Sequence, residues 1–406
     1  MSPPPTEKRR KLKKIAKRCL LLTLSGLVSC LLGILALKQY VAWIGAEIEV
    51  NYLCDPRPVM WQADPLLGYS NKPNLEQRAF GNLVGRTNSA GFRSHEEIVK
   101  AKPHGTYRVV GVGDSVMWGM RVNLEETFLG QLGKLLETEH SDVEFINAGV
   151  IGYSTYQERM LLEKRVVPYS PDLVLINFSS NDLLPTEDPF ESSRELYVNY
   201  LTRLSEGQSS TLLNEAEQST LKELVDIFKT SPKVWETAQS SELDPKTMMK
   251  LLIEIPMTEM ASIAKANGIR LIYVFIPVTT PTSGQRSVER KLQAYLKRLE
   301  VETIDLYEAM LADPDTRGSS VPKGSKAQGI LTWHKRSGIK QKLDDWSLSA
   351  LDPFPALAQL GKFNAFRERH TETNYIDTIG HPSERGNRII AEKIFEYLQL
   401  GDSRKR

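Results

Sequence analysis

Five short apolar runs, separated by segments of helical periodicity, are the feature that most constrains how this chain of 406 residues can fold. The runs occupy residues 108–113, 143–147, 173–178, 268–276 and 303–306. Helices are expected between the runs and after the last one, at 124–138, 157–167, 257–267, 287–300 and 383–398. Continuous apolar strands that alternate with helices are typical of a parallel sheet whose two faces are both buried. The sequence therefore predicts one α/β domain with right-handed crossovers.

Two stretches interrupt this alternation and are predicted to be inserts in a domain that covers residues 105–400. Residues 183–256 are rich in Ser, Thr, Glu and Gln, and they predict a helical insert over the edge of the sheet. Residues 312–372 are irregular and rich in Gly, Ser, Lys and Pro. We expect both inserts to wall the ligand site and to set substrate choice. A turn-rich segment at 38–104, called the lead-in segment below, precedes the domain.

The amino-terminal part of the chain has the pattern of a membrane anchor. Residues 19–37 carry no charge, and as a helix they span about 28 Å, which matches the hydrocarbon thickness of a bilayer. Residues 1–18 contain eight basic residues and one acidic residue, and this tail is expected to stay in the cytoplasm. The pattern predicts a single transmembrane helix with the main body outside the cytoplasm. Two alternatives remain open here: a cleaved signal peptide, and a lipoprotein signal that ends at Cys30.

Composition excludes several classes of protein. A hydrophobic share of 41% and a charged share of 25% are those of a globular protein rather than of a disordered or collagen-like chain. The net charge of the chain is +2, and residues 1–18 alone carry +7. The rest of the chain is therefore mildly acidic, and nucleic acid is not an expected partner. Of the three cysteines only Cys54 lies outside the apolar run. Neither a disulfide within the main body nor a zinc cluster is therefore expected.

Small polar residues follow three of the predicted strands, at the ends where ligands of such sheets bind. Ser115 follows the first strand at a Gly-Asp turn, Gly149 and Gly152 lie in the loop after the second strand, and Asn181 follows the third. His381 precedes the last helix and is one of six histidines. A serine beside a histidine base, with donors facing a developing negative charge, is what acyl transfer requires. Met117 stands where the second glycine of a G-x-S-x-G elbow belongs, so that motif does not present the serine.

Taken together, four blocks of the sequence resemble those of the SGNH/GDSL hydrolases. The blocks read GDSV at 113–116, NAGVIGYST at 147–155, SSND at 179–182 and DTIGHPS at 377–383. The preceding NSAGFRS at 88–94 is similar to a stretch found ahead of the domain in some bacterial members. The resemblance implies a flavodoxin-like three-layer α/β/α sandwich with a five-stranded parallel sheet, to which the N-terminal transmembrane helix is added. It implies neither a metal nor an organic cofactor.

The resemblance also implies a role for each site residue. Ser115 would be the nucleophile, His381 the base, and Asp377 the residue that orients the histidine and stabilises its charged form. The oxyanion hole would consist of the Ser115 N–H, the Gly152 N–H and the Asn181 side chain.

The chain departs from the family's pattern at two positions that bear on the chemistry. Asp377 lies four residues before the histidine rather than three, and Thr378 holds the usual place. A Ser–His dyad without an aspartate is therefore an alternative to the triad. Ser179 stands in place of the usual glycine of the third block. The remaining acids of these blocks, Asp114 and Asp182, are interpreted as structural residues that brace the loops through side-chain hydrogen bonds.

The leading hypothesis is a membrane-anchored, extracytoplasmic serine esterase or deacylase that works through an acyl-enzyme. Acylated envelope glycans or lipids, or a small-molecule ester, are the expected substrates, and this expectation follows from the compartment rather than from a pocket. One alternative keeps the acyl-enzyme but transfers the acyl group to an envelope polysaccharide, which makes the protein an O-acyltransferase. Another is a catalytically inactive factor for envelope binding or assembly.

Overall fold

The computed structural model describes residues 7–44, 60–78, 84–120, 122–137, 142–179, 182, 191–206, 213–231, 243–277, 281, 283–312 and 381–403. Four residues named in the sequence predictions, Cys54, Asn181, Asp377 and Thr378, lie outside these ranges. All but the first residue of the insert predicted at 312–372 lies outside them as well.

The helix α1 (Glu7–Ile44) contains the uncharged run that predicts a membrane span. Between residues 16 and 36 its mean hydropathy is 2.4, and none of this stretch is buried by the rest of the protein. Within the described ranges it is the one helix long and apolar enough to cross a membrane, although a signal sequence has the same length and composition.

The lead-in segment contains two antiparallel hairpins that the sequence did not predict. They consist of β1 (Trp61–Asp64) with β2 (Gly68–Asn71), and β3 (Glu76–Arg78) with β4 (Val84–Arg86). Oδ1 of Asp64 closes the first turn by accepting the N–H groups of Leu66 (2.9 Å) and Leu67 (3.2 Å). The Tyr69 ring lies edge-on to Tyr153 of the main domain, with 5.1 Å between the ring centroids. The first hairpin therefore contributes to the same apolar core as the domain.

The five predicted strands are present and form one parallel sheet. They are β5 (Tyr107–Val112), β6 (Val143–Asn147), β7 (Leu173–Phe178), β8 (Arg270–Phe275) and β9 (Glu302–Asp305). Their order is β6-β5-β7-β8-β9, and every neighbouring pair is parallel. Every residue of β7 is buried, as expected for the central strand of a sheet covered on both faces. The predicted sheet is confirmed.

Helices cover both faces of this sheet. They are α2 (Ser115–Trp118), α3 (Phe128–Glu137), α4 (Thr155–Leu161), α5 (Glu191–Glu206), α6 (Glu215–Thr230), α7 (Pro245–Met249), α8 (Ile255–Ala266), α9 (Ser283–Arg298), α10 (Tyr307–Leu311) and α11 (Glu384–Ser403). Helices α4 to α9 pack on the face that includes Val110 and Ile176, whereas α3, α10 and α11 pack on the face that includes Val109 and Leu175. This is the predicted three-layer α/β/α sandwich.

The strand order reverses between β5 and β7. The chain leaves β5 for β6 on one side and then returns to β7 on the other side of β5. In open α/β sheets ligands bind at the carboxyl ends of the strands that flank such a reversal. Ser115 is the third residue after β5 and lies at this point.

Candidate active site

Ser115 is the first residue of α2, a helix of one turn that directly follows a tight bend after β5. Asp114 is the N-cap of this helix, and its Oδ1 accepts the N–H of Val116 at 2.8 Å. The bend requires a glycine, because a Cβ at Gly113 would lie 1.8 Å from Oδ1 of Asn177. The sequence therefore places the serine hydroxyl at the helix N-terminus, above the carboxyl end of the sheet.

The structure brings His381 to Ser115 across 266 residues of sequence, with Nε2 of the histidine 2.9 Å from Oγ of the serine. Both residues are 7% exposed. When Nε2 is unprotonated the serine hydroxyl donates to it, which is the geometry of a nucleophile beside its general base. Two of the residues predicted from the sequence thus form a pair that can generate an activated serine.

Asn387 holds the histidine loop against the rest of the domain. Its Oδ1 accepts the N–H of Phe128 at 2.8 Å, and its Nδ2 donates to the carbonyl of Pro382 at 3.1 Å. One side chain thereby satisfies an N–H at the start of α3 and fixes the residue next to His381. This role was not predicted, since the sequence shows only an asparagine one turn inside the last helix. Its burial is seen only in the structure.

Asp114 also connects the nucleophile turn to the loop after β7. Its Oδ1 accepts Nδ2 of Asn177 at 2.9 Å, and its Oδ2 accepts the hydroxyl of Ser179 at 2.8 Å. In the same loop Oδ2 of Asp182 accepts the N–H of Ser179 at 2.7 Å. These are side-chain hydrogen bonds of the bracing kind expected for the two aspartates. The extra hydroxyl that distinguishes Ser179 from the usual glycine is part of this network.

A third buried carboxyl, Glu158 of α4, lies behind the site and was not singled out in the sequence. Burial, together with the charges of Asp182 and Asp114, raises the pKa of Glu158 well above its ordinary value. Burial and the charge of Asp114 likewise raise the pKa of Asp182, while its hydrogen bond from Ser179 acts in the opposite direction. The site is therefore backed by carboxyls that retain their protons to higher pH than usual.

The loop after β6 runs beside the nucleophile turn. Val150 donates its N–H to the carbonyl of Gly113 at 3.0 Å, which continues the pairing of the two strands. At Gly149 a Cβ would lie 2.3 Å from the backbone nitrogen of Trp118, so only glycine allows this approach. Gly152 follows in the same loop with a φ of +83°. The structure thus places Gly152 at the carboxyl edge that carries Ser115.

The roles given to Asn181 and Asp377 stay predictions, because both residues lie outside the described ranges. The side chain that would complete the oxyanion hole and the carboxylate that would orient the histidine are therefore known from the sequence alone. In the part of the chain that is described, no group of three or more His, Cys, Asp or Glu residues is arranged to hold a metal ion.

A profile of the GDSL-like lipase/acylhydrolase family matches residues 112–324, which is more than half of the chain. The chain belongs to this family. Family membership assigns the protein to the ester hydrolases. The match contains the first three sequence blocks of this GDSL hydrolase, whereas His381 lies beyond its end.

Solved structures of related fold have low sequence identity to this GDSL hydrolase. One is a member of the lipolytic G-D-S-L family from Veillonella parvula, with 14% identity, a TM-score of 0.37, and coverage of 72% of this chain and 99% of that chain. A GDSL-like lipase from Bacteroides thetaiotaomicron has 17% identity, a TM-score of 0.30, and coverage of 62% and 92%. A psychrotrophic esterase from a Pseudoalteromonas species has 15% identity, a TM-score of 0.32, and coverage of 58% and 98%. No curated protein matches the chain.

Proposed function

We propose that this GDSL hydrolase is a serine esterase or deacylase in which Ser115 is the nucleophile and His381 is the general base. The observation that carries the proposal is the 2.9 Å contact between Oγ of Ser115 and Nε2 of His381. The pair is formed at the switch point of the sheet, and the one-turn helix points its N-terminus at the same place. The family gives the reaction class, and this contact supports the assignment of the two residues.

The reaction begins when Oγ of Ser115 attacks the ester carbonyl and passes its proton to Nε2 of His381. The tetrahedral oxyanion is held by the N–H groups of Ser115 and Gly152 and by the side chain of Asn181. His381 then gives the proton to the departing alcohol, and an acyl-serine remains. Water attacks this ester with the histidine again as base, and the acid leaves as the serine regains its proton. Asp377 orients His381 through these steps.

The site of action follows from the amino-terminal helix. Its apolar stretch is long enough to span a bilayer, and the basic tail of residues 1–18 favours the cytoplasmic side. A single-pass anchor of this orientation places the main body outside the cytoplasm, at the cell membrane. We infer that acylated envelope glycans or lipids are the substrates, because these are the acyl esters that an anchored enzyme meets there. Because the main body is acidic, we do not expect it to bind nucleic acid.

The proposal is tested by ester hydrolysis with the full chain in detergent, with p-nitrophenyl acetate as substrate. Ser115→Ala and His381→Ala are expected to lower kcat by about a thousandfold or more while the circular dichroism spectrum is unchanged. Matched controls are Ser89→Ala and His95→Ala, which alter an exposed serine and an exposed histidine. The Ser89 hydroxyl donates to Glu97, and His95 lies beside Glu125. Both controls should retain full activity.

Two results would contradict the proposed function. Full activity in Ser115→Ala would show that Ser115 is not the nucleophile. If an added envelope glycan becomes acetylated, the acyl-enzyme transfers its acyl group to a sugar hydroxyl. The protein would then be an O-acyltransferase.

A further inference from the structure

The helix that carries Ser115 is too short to hold itself in place. Helix α2 has four residues, so it has little more than one internal turn of hydrogen bonds. The nucleation cost of so short a helix exceeds what its own bonds return, and its last carbonyl groups have no partner within the helix. The position of Ser115 therefore depends on groups outside α2 that bind these carbonyls.

Two side chains provide this support. Nδ2 of Asn147 donates to the carbonyl of Met117 at 2.8 Å, and Arg93 of the lead-in segment binds the carbonyls that follow. Its Nη1 donates to the carbonyls of Trp118 and Gly119, the latter at 2.9 Å, and its Nη2 donates to the carbonyl of Val122 at 2.7 Å. The guanidinium also lies over the Trp118 ring, 5.0 Å from the centroid. A cation at the C-terminal end of a helix has a favourable interaction with the carbonyl dipoles that meet there.

Two peptide units connect the guanidinium directly to the backbone of Ser115. The unit between Trp118 and Gly119 accepts from Arg93 through its carbonyl and donates its N–H to the carbonyl of Ser115 at 3.1 Å. The unit between Gly119 and Met120 does the same, with its N–H 3.0 Å from the same carbonyl of Ser115. Hydrogen bonds in such a series polarise one another and strengthen the arrangement.

The surroundings of Arg93 suit a positioning role. The residue is buried, and among the described residues the hydrogen bonds of its guanidinium are to carbonyl groups rather than to a carboxylate. Burial lowers the pKa of Arg93 to about 10, and the nearby charges of Glu125 and Glu126 oppose this shift, so the guanidinium stays charged at neutral pH. Gly119 is fitted to it: its φ is +76°, and a Cβ there would lie 2.9 Å from Nη1.

We propose that Arg93 is a positioning residue for the nucleophile, and that this one side chain connects the lead-in segment to the active site. The inference rests on the proposed role of Ser115. It goes beyond that role because Arg93 lies outside the residues matched to the family and touches no reacting atom. Loss of the guanidinium would let α2 shift, and a displacement of the nucleophile of about 1 Å can cost about a hundredfold in rate.

A second buried arginine supplies a matched control. Arg108 of β5 is fully buried and binds carbonyls in the same manner, with Nη1 on Lys100 at 3.0 Å and Nη2 on Val99 at 3.0 Å. It also pairs with Glu144, with Nε 2.6 Å from the carboxylate. Arg108 is at the amino end of β5, whereas Ser115 follows the carboxyl end. A substitution there tests the cost of losing a buried arginine without disturbing α2.

The experiment compares Arg93→Lys and Arg93→Met with Arg108→Lys and Arg108→Met in the full chain in detergent. For each variant kcat and KM for p-nitrophenyl acetate, the rate of fluorophosphonate labelling and the thermal midpoint are measured. We expect all four substitutions to lower the midpoint. We expect only the Arg93 pair to lower kcat and the labelling rate, by about ten- to a hundredfold, with KM changed less than about threefold. Arg93→Lys decides the matter if Arg93→Met does not fold.

A kcat for Arg93→Lys equal to that of Arg108→Lys would overturn the inference. If Ser115→Ala is inactive in the same assay, that result leaves the proposed function intact. Full activity in Ser115→Ala would instead show that the proposed function itself is wrong.

Discussion

Asp114 links three parts of the site through one buried carboxylate. It caps α2 at Val116, holds Asn177 at the end of β7, and accepts the hydroxyl of Ser179. All three donors lie in a region with little access to water. At the scale of single residues, the nucleophile is positioned by this carboxylate on one side and by Arg93 on the other.

Replacement of Asp114 tests this role. In Asp114→Asn the new amide N–H points at a group that now donates a hydrogen bond to the carboxylate, and that bond is lost. We therefore expect the free energy of unfolding to fall by about 1–3 kcal/mol. We also expect kcat to fall by about tenfold or more because α2 loses its register. Urea denaturation and ester hydrolysis measure the two effects. Asp172→Asn is the control, because Asp172 accepts Lys102 and the N–H of Arg108 away from the site. Unchanged kcat in Asp114→Asn would show that the cap is dispensable.

Ser179 provides a milder test of the same network. Ser179→Gly restores the residue that the family pattern has here and removes one hydrogen bond to Asp114. We expect a loss of about 1 kcal/mol in stability and a kcat within about threefold of the parent. A kcat lowered by about a hundredfold or more would mean that the hydroxyl takes part in the chemistry itself.

Site residues could be predicted from the sequence where the residue type is reactive and its position beside a strand or helix indicates the site. Ser115 and His381 are recognised because each follows or precedes an element at the ligand end of the sheet. Arg93, Glu158 and Asn387 are not recognised, because their roles arise from contacts with segments distant in sequence. Glu158 lies in the first turns of an ordinary helix, and only the packing of α4 shows that its carboxyl is buried behind the site.

At the scale of elements, the packing of α11 on α3 determines where the histidine lies. Asn387 joins the first turns of the two helices, and Ser383 caps α11 by accepting the N–H of Gly386 at 3.0 Å. His381 directly precedes this capped turn, so its distance from Ser115 depends on how firmly α11 is docked.

Asn387→Leu is expected to loosen this docking. The substitution leaves the N–H of Phe128 buried without its acceptor, which should cost about 1–3 kcal/mol in the free energy of unfolding. We expect kcat to fall more than KM changes, because the histidine rather than the substrate is displaced. Lys393→Ala on the exposed side of the same helix is the control for both measurements. A variant that is destabilised but keeps its full kcat would show that the histidine loop is held by other contacts.

Elements were predicted well within the sheet and poorly in the lead-in segment. The strands β5, β7 and β8 follow from apolar runs, because burial on both faces requires continuous hydrophobic residues. The short edge strand β9 was recognised because it follows a predicted helix in the alternation. The hairpins β1–β2 and β3–β4 have strands of three or four residues, too short to display an alternating pattern. The helix predicted at 124–138 is divided, since a 3-10 turn at Leu124–Glu126 precedes α3.

At the scale of the whole molecule, the buried carboxyls make stability depend on pH. The raised pKa of Glu158 means that the folded state binds more protons than the unfolded state above the ordinary value of 4.5. Its contribution to stability is therefore fully present below that pH and is lost as the pH rises towards the folded-state pKa.

We accordingly expect the free energy of unfolding to decline as the pH rises above 4.5, and the decline to be shallower in Glu158→Gln. Urea denaturation at several pH values measures the slope. The control is Glu223→Gln, which alters an exposed glutamate on α6 and should leave the slope unchanged. A Glu158→Gln variant with the parental slope would contradict the shift.

Membrane topology is the second property of the whole molecule. The proposed orientation predicts that alkaline phosphatase fused after Arg406 is active in a Gram-negative host, and that green fluorescent protein fused there through the general secretion route is dark. The inverse pair of results would place the body in the cytoplasm. Release of an active body from the membrane by high salt alone would show that α1 is not an anchor.

Covalent labelling of the serine is a direct test of the proposed activation of Ser115 by His381. The full chain is treated with a fluorophosphonate, and the modified residue is located by mass spectrometry. We expect one adduct on Ser115, absent in Ser115→Ala and formed far more slowly in His381→Ala. A folded protein that hydrolyses esters but carries its adduct on another serine, or on none, would contradict it.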